Sequence, residues 1–356
     1  MDNKTIVIIS VVAFIALALV GNYNIQQMHS GGFYRTQEIY EDLGPVVYYE
    51  EGLYATVTVR DLFGQGKSLF LNGKGQGSSG INDLRVNFLL AYLPLLTKPE
   101  IENVLVIGLG TGTTSGQLAK FSKVKTLEIE SEVIGATSYF TSFNLNVIEN
   151  PNHELIINDA RNHLLKNEKE YDLIVQEPSD PWQSFSTNLY SKEFFELLKE
   201  DLSENGLYIK WVPIYTMSPE DFKSLYATFD SIFPNNVAFA NIKPTENTPV
   251  ILETSEIILV GSKKNIEISK EVFDQNYQRL PSLSKQGLEN LRLSSGEEIY
   301  NLLIFTSEQM EGYAQDSDLV TDNNPILEFS TAKNVLNQNP GAVIEDIENY
   351  LEEKNG

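Results

Sequence analysis

The sequence contains no cysteine and only three histidines. Without cysteine it can form no disulfide, no thiolate metal site and no cysteine nucleophile. The histidines, His29, His153 and His163, are too scattered along the chain to indicate a zinc site. We therefore expect chemistry that uses neither a metal ion nor a covalent thiol intermediate.

Positive charge is also scarce. The 356 residues include 26 Lys and Arg against 49 Asp and Glu, which gives a net charge of −23 at pH 7. Such an excess of acid repels phosphates, so nucleic acid is not expected as a partner. The charge suits a cationic substrate, and an acidic surface that only keeps the protein in solution is the alternative interpretation.

Charged residues are absent from Thr5–Gly21, "TIVIISVVAFIALALVG". As a helix this segment would be about 25 Å long, the short end of what crosses a bilayer. A signal peptide is the rival interpretation, because Ala16-Leu17-Ala18 resembles a cleavage site. We expect an uncleaved anchor in residues 1–22, hence a membrane-anchored protein with a single N-terminal span. The few flanking charges leave open the side on which the rest of the chain lies.

Two stretches of alternating hydrophobicity follow, at 46–61 and 67–76, and predict β strands separated by glycine-containing turns. They indicate a small antiparallel β domain over residues 31–97. The apolar segment 84–96 at the end of this domain predicts a helix that ends near Pro94.

Beyond residue 98 apolar strands alternate with helical stretches. The strands are "NVLVIG", "VKTLEIE", "HELIIND", "YDLIVQE" and "NGLYIKWV". This order predicts an α/β domain over residues 98–265 with a doubly wound, mostly parallel sheet. We expect "VAFANI" and "EIILVGS" to complete it as an antiparallel edge. Residues 266–356 indicate a mostly helical, acidic C-terminal extension.

The stretch "VLVIGLGTGTTSGQL" (104–118) is a strand that runs into a glycine turn and then a helix. It is not a dinucleotide fingerprint, because Thr113 stands where the third glycine belongs, and it has no P-loop lysine. Glu128 ends the next strand, where a carboxylate can accept bonds from both ribose hydroxyls. The pattern favours a nucleoside carried as a sulfonium, such as S-adenosylmethionine. A purely structural turn is the alternative.

Acidic residues stand at the carboxyl ends of the successive predicted strands. They are Glu128 and Glu130, then Asp159, then Glu177 with Asp180. Since the carboxyl ends of parallel strands meet at one edge of the sheet, these residues predict a negative cleft that suits a cationic substrate. Each acid alone is more often a helix cap or a solvated side chain, and it is their common position that favours a site.

From about residue 46 to 235 the sequence resembles the spermidine synthase (polyamine aminopropyltransferase) family, especially its membrane-linked branch. The resemblance rests on "LNGKGQ", "LAYLPLL", "VLVIGLGTG", "LEIESEV", "INDARNHL", "YDLIVQEPSDPW", "NLYSKEFFELLKEDLSENGL" and, near the end, "DNNPILEF". It implies a Rossmann-like sheet of the S-adenosylmethionine-dependent methyltransferase type. It also implies transfer of an aminopropyl group from decarboxylated S-adenosylmethionine to an amine or polyamine acceptor.

The resemblance further implies three groups of site residues. The catalytic pair would be Glu177 and Asp180, with Glu177 as the base. The donor would be held by Gln76, Gly108, Gly110, Thr111, Gly112, Glu128, Asp159 and Ala160. The acceptor would contact Asp83, Asn87, Tyr190 and Trp211.

This chain departs from the family pattern where the substrates would bind. Thr111 replaces an aspartate of the glycine turn, Glu177 replaces a shorter aspartate, and Asn87 and Phe88 replace a His-Glu pair. Two alternatives therefore stand beside aminopropyl transfer. One is a methyltransferase that uses intact S-adenosylmethionine, and the other is an inactive membrane-anchored binding or structural subunit. A homodimer or a membrane-complex partner is compatible with each reading.

Overall fold

The computed structural model describes residues 12, 44–166, 170–177, 180–183, 186–241, 256–335 and 339–355. Apart from Val12, the predicted membrane segment 5–21 lies outside these ranges. Among the residues that are described, no helix has both the length and the apolar character that a bilayer crossing requires.

The first described unit is a four-stranded antiparallel sheet in the order β1-β2-β3-β4. Its strands are β1 (Val46–Glu51), β2 (Thr56–Asp61), β3 (Lys67–Leu71) and β4 (Lys74–Ser78). Asn72 and Gly73 join β3 to β4 with φ of 49° and 75°, as a tight hairpin turn requires. The buried side chains of Val57, Val59 and Leu69 pack against Leu109 of the glycine turn. The predicted antiparallel β unit is thus confirmed, and it covers the start of the second sheet.

The second sheet has eight strands in the order β12-β10-β11-β9-β8-β5-β6-β7. β5 to β9 pair in parallel and the other three strands pair antiparallel, so the predicted Rossmann-like sheet and its antiparallel edge are confirmed. The chain moves outward from β5 through β6 to β7 and then restarts on the other side with β8. The strands are β5 (Asn103–Ile107), β6 (Lys123–Glu128), β7 (His153–Ile157), β8 (Tyr171–Gln176), β9 (Leu202–Pro213), β10 (Asn235–Ala240), β11 (Glu256–Ser262) and β12 (Leu303–Thr306).

Helices cover both faces of this sheet, and each face has its own apolar cluster. One face is covered by Ile81–Thr97, Thr113–Leu118, Lys270–Arg279, Ser282–Asn290 and Gly296–Tyr300, and the other by Ala160–Leu164, Lys192–Asp201, Pro219–Ile232, Ile326–Asn334 and Pro340–Asn355. Short helices at Val133–Thr137 and Thr141–Asn144 lie between β6 and β7.

The helix Ile81–Thr97 differs from its prediction in two ways. The helix continues past Pro94, because a proline in the last turn removes only one hydrogen bond. The carbonyl oxygen of Pro94 still accepts from the Lys98 amide at 2.7 Å. The helix is also buried from Leu84 to Leu96 within the core of the large sheet. Packing therefore groups this helix with the second sheet, although the sequence pattern assigned it to the first domain.

The C-terminal region is mostly helical, but it also contains β12. This strand pairs antiparallel with β10 through Val237 and Thr306, and through Ala238 and Phe305. The region after residue 266 therefore contributes the edge strand of the large sheet.

Candidate active site

A cavity opens at the carboxyl ends of β5 to β8, where the strand order reverses. This is the place at which doubly wound sheets bind ligands. Its wall includes nine of the residues predicted for the site, namely Gln76, Asn87, Gly108, Gly110, Thr111, Glu128, Asp159, Ala160 and Glu177.

The glycine turn forms the floor of this cavity. Gly108 has φ of +97°, and a Cβ there would lie 2.7 Å from the carbonyl oxygen of Glu177. Gly110 has φ of +51° and no atom within 4 Å of the place of its missing side chain. The turn therefore packs closely against the end of β8 at Gly108 and leaves open space at Gly110. Backbone N–H groups in such a turn can approach a ligand directly.

Glu128 is 8% exposed and is held entirely by backbone amides. Its Oε2 accepts from the Leu109 amide at 2.9 Å, and its Oε1 accepts from the amides of Ile129 and Glu130 at 2.8 and 2.9 Å. Burial raises the pKa of this carboxyl, against the lowering effect of the three hydrogen bonds. A carboxylate has about four acceptor positions, so the fixed group retains capacity for a ribose hydroxyl.

Asp159 and Ala160 lie at the start of the helix Ala160–Leu164. Asp159 caps this helix, because its Oδ1 accepts from the Asn162 amide at 2.8 Å. Ala160 is 7% exposed and lines the cavity beside it. A side chain fixed in this way is suited to contact a nucleobase edge beyond β7.

Glu130 also lines the cavity, although the sequence pattern gave it no separate role. Its Oε2 accepts from the amides of Tyr54 and Ala55 at 2.8 and 3.0 Å. These bonds tie the turn between β1 and β2 to the end of β6. Glu130 therefore holds the small sheet over the cavity.

Glu177 follows β8 and is held by side chains. Asn87 donates its Nδ2–H to Oε1 at 2.6 Å, and Thr114 donates its hydroxyl to Oε2 at 2.9 Å. Burial raises the pKa of Glu177 to about 7; the negative charges of Glu256 and Asp83 raise it further, while the hydrogen bonds from Thr114 and Asn87 lower it. Near neutral pH both the protonated and the ionised form of this carboxyl are therefore populated.

Thr114 and Glu256 were not found by sequence reasoning. Thr114 lies in the first turn of Thr113–Leu118, two residues past the last glycine of the motif, which was the available signal. Glu256 begins β11, far from Glu177 in sequence. Asp83 was predicted to contact the acceptor, and it acts on Glu177 by charge from the first turn of its helix without lining the cavity.

Besides Asp83, four predicted site residues are not among those that line this cavity. Gly112 supports the turn, since a Cβ there would lie 2.8 Å from Val147 Cγ1. Trp211 packs on the apolar cluster of one sheet face. Tyr190 is completely buried, with the Nζ of Lys210 3.7 Å from its ring centroid.

Asp180 is the fourth of these residues. Its side chain is 0% exposed and forms an ion pair with the Nζ of Lys74, which is itself 3% exposed. Of the predicted catalytic pair, Glu177 therefore lies at the cavity and Asp180 lies in a buried ion pair. No cluster of three or more His, Cys, Asp or Glu side chains that could hold a metal ion occurs in the described part of the chain.

Comparison with known proteins identifies the family of the chain. The family model of the spermine/spermidine synthase domain matches residues 84–277, more than half of the chain. The chain belongs to the spermine/spermidine synthase family. Members of this family use decarboxylated S-adenosylmethionine as the aminopropyl donor, and this spermine/spermidine synthase family member is accordingly a transferase.

Curated relatives and solved structures of the spermine/spermidine synthase family agree. The chain is 28% identical over 192 residues to the polyamine aminopropyltransferase of Bacillus cereus, covering 52% of this chain and 68% of that protein. It is 31% identical over 196 residues to the polyamine aminopropyltransferase of Saccharolobus solfataricus, covering 53% and 64%. The crystal structure of spermidine synthase from Thermotoga maritima has the same fold, with a TM-score of 0.55, 19% identity and coverage of 69% of this chain and 88% of that one.

Proposed function

We propose that the protein transfers the aminopropyl group of decarboxylated S-adenosylmethionine to an amine acceptor. The observation that carries the proposal is the position of Glu177. This carboxyl has a pKa of about 7 and lines the same cavity as Glu128 and Asp159, which suit a nucleoside.

Glu128, Asp159 and the glycine turn bind the donor nucleoside in this proposal. The carboxylate of Glu128 accepts from the ribose, and Asp159 with Ala160 contacts the base. Gln76 borders the nucleoside from the small sheet. Because backbone amides hold Glu128 in place, little side-chain entropy is lost when the donor binds.

Glu177 is the proposed general base. A free amine has a pKa of about 10, so it must lose a proton to become a nucleophile. Its nitrogen forms a bond to the carbon beside the sulfonium while the carbon–sulfur bond breaks and its electron pair stays on sulfur. The proton passes from nitrogen to Glu177, and the products are the extended amine and methylthioadenosine. A base whose pKa lies near the working pH performs this step efficiently.

Asn87 and Thr114 are positioning residues in this scheme. Each donates a hydrogen bond to a different oxygen of Glu177, which aims the carboxylate and limits the rise of its pKa. Asp83 and Glu256 add negative charge on the same side. That charge attracts a cationic acceptor.

The direct test uses the purified full chain with either decarboxylated or intact S-adenosylmethionine and a panel of amines, analysed by mass spectrometry. Aminopropyl transfer releases methylthioadenosine and adds three methylene groups and an amine to the acceptor. Formation of S-adenosylhomocysteine and a methylated product would instead establish a methyltransferase. A chain that binds methylthioadenosine but yields no product with any pair would refute both activities.

We also propose that residues 5–21 attach the enzyme to a membrane. Their uncharged composition supports this, and the segment lies outside the described residues except for Val12. The full chain should co-float with lipid vesicles and a chain that begins at residue 23 should not. Equal flotation of the two chains would show that residues 5–21 do not attach the enzyme to a membrane.

A further inference from the structure

The buried ion pair between Lys74 and Asp180 points to a feature of acceptor recognition that the proposed reaction does not require. Lys74 begins β4, two residues before Gln76, and Asp180 follows β8, three residues after Glu177. The pair therefore joins the chain segments that form two walls of the cavity.

Asp180 is enclosed together with its counter-charge. The two paired side chains are 3% and 0% exposed, and the Nζ of Lys74 lies 5.8 Å from the ring centroid of Tyr215. The negative charge of Asp180 also raises the pKa of the buried Tyr190 hydroxyl, after the larger effect of burial. A buried carboxylate without a cation is strongly unfavourable, so this site requires a positive charge.

Lys74 supplies that charge from within the chain. An acceptor ammonium could bind Asp180 only by displacing a tethered ammonium, which competes at a high effective concentration. The negative charges that act on the Glu177 carboxyl come instead from Glu256 and Asp83. Glu256 accepts a hydrogen bond from Asn241 Nδ2 at 3.2 Å.

We propose that Lys74 occupies the cation position at Asp180 and thereby determines specificity, so that an acceptor ammonium is attracted by the charges of Asp83 and Glu256 and does not pair with Asp180. This inference rests on the proposed transfer to an amine. Binding measurements test it independently of turnover, so an inactive enzyme and a wrong assignment of Lys74 give different results.

The first experiment asks whether an external amine can replace the lysine. The full-length Lys74→Ala variant removes the ammonium and most of its stem, and n-butylammonium is the probe. We expect this variant to melt at a lower temperature than wild type and to regain about 3 °C or more when the probe saturates the vacated position. Wild type and the Lys74→Ala/Asp180→Asn double variant should show no such gain.

Lys125→Ala provides the matched control, because Lys125 forms the ion pair with Glu154 at 3.6 Å far along the sheet from Asp180. It should show no amine-dependent gain in Tm. An equal gain in the double variant, or none in Lys74→Ala, would overturn the assignment of Lys74.

The second experiment stays informative if Lys74→Ala does not fold. It measures binding of 1,4-diaminobutane by calorimetry with methylthioadenosine present. Asp83→Asn and Glu256→Gln should each weaken binding at least fivefold, whereas the charge-neutral Lys74→Met/Asp180→Asn pair should change it less than twofold. If the paired variant loses more affinity than the other two, Asp180 binds the acceptor and the proposal is wrong.

Discussion

The two halves of the cavity hold their functional groups by different means. On the side proposed for the donor, Glu128 and Asp159 are fixed by four backbone amides, three of which lie within three residues in sequence. On the acceptor side, Glu177 is fixed by the side chains of Asn87 and Thr114, 90 and 63 residues away. Backbone amides persist whatever the side chains are, so the donor half tolerates sequence change. In the acceptor half, a single substitution of Asn87 or Thr114 would change the hydrogen bonds that hold Glu177.

This contrast matches the places where the chain departs from its family pattern. The nucleoside residues Glu128, Asp159 and Ala160 keep the pattern, whereas Asn87 and Thr111 differ from it. Asn87 contacts Glu177 directly, and Thr111 bonds the Thr113 hydroxyl at 2.8 Å within the cavity wall. We infer that nucleoside recognition is the retained property of this chain, and that its contacts to the charged tail of the donor and to the acceptor are its own.

Removal of the proposed base should impair the reaction of the acceptor and leave donor binding unchanged. Glu177→Gln keeps the size of the side chain but cannot take the proton of the amine. Turnover should fall about 100-fold or more while the affinity for methylthioadenosine changes less than about twofold. Steady-state kinetics and calorimetry on the same preparation measure both. Exposed Glu154→Gln is the control, and a fully active Glu177→Gln enzyme would remove this residue from the mechanism.

Removal of the proposed ribose contact should weaken binding of the nucleoside. Glu128→Ala should weaken methylthioadenosine binding by about 1.5–3 kcal/mol, the range for hydrogen bonds to charged groups. Calorimetric titration measures the loss, and circular dichroism shows whether the turn that Glu128 caps is still folded. Unchanged affinity in a folded variant would mean that Glu128 is only a structural cap.

Thr111 tests whether the donor half distinguishes the two sulfonium donors. Decarboxylated S-adenosylmethionine ends in an ammonium, and the intact molecule carries a carboxylate beside it. Threonine neither attracts the first nor repels the second, so wild type should discriminate poorly between them or prefer the intact donor. Thr111→Asp should shift preference toward the decarboxylated donor at least tenfold, about 1.4 kcal/mol. Titrations of wild type and variant with each donor measure the preference. A wild type that already binds the decarboxylated donor 100-fold more tightly would contradict the prediction.

A further expected effect is on stability and depends on pH. The pKa of Glu177 rises from 4.5 to about 7 on folding, so the folded state resists its ionisation above pH 4.5. This group stabilises the fold fully below pH 4.5 and loses that contribution as pH rises through about 7. Glu177→Gln should therefore stabilise the protein at pH 8 by on the order of 2 kcal/mol more than at pH 5. Thermal unfolding at the two pH values measures the difference, and equal Tm changes would show that the carboxyl is not buried as described.

Most residues that the sequence assigns to the donor line the cavity, whereas few of those assigned to the acceptor do, for one physical reason. The glycine turn, Glu128 and Asp159 each lie at or just after the end of a strand, so a local sequence pattern identifies them. The Lys74–Asp180 pair joins residues 106 positions apart, and only the folded chain brings them together. Tyr190 and Trp211 were expected at the acceptor. In the structure Tyr190 lies in the apolar cluster on one face of the large sheet, and Trp211 packs against the cluster on the other face. On β9 neighbouring side chains face opposite sides of the sheet, which separates Trp211 from Lys210 and Tyr190.

The edge strand β12 has a consequence for the order of folding. During synthesis β10 emerges long before residues 303–306, so one row of its backbone amide and carbonyl groups has no strand partner until the ribosome has made about 70 more residues. Until β12 has been made, the growing chain therefore has an open β edge, although every residue that lines the cavity has already been synthesised. A chain that ends prematurely after β11 would contain every cavity residue described above and would nonetheless expose that edge to other nascent chains.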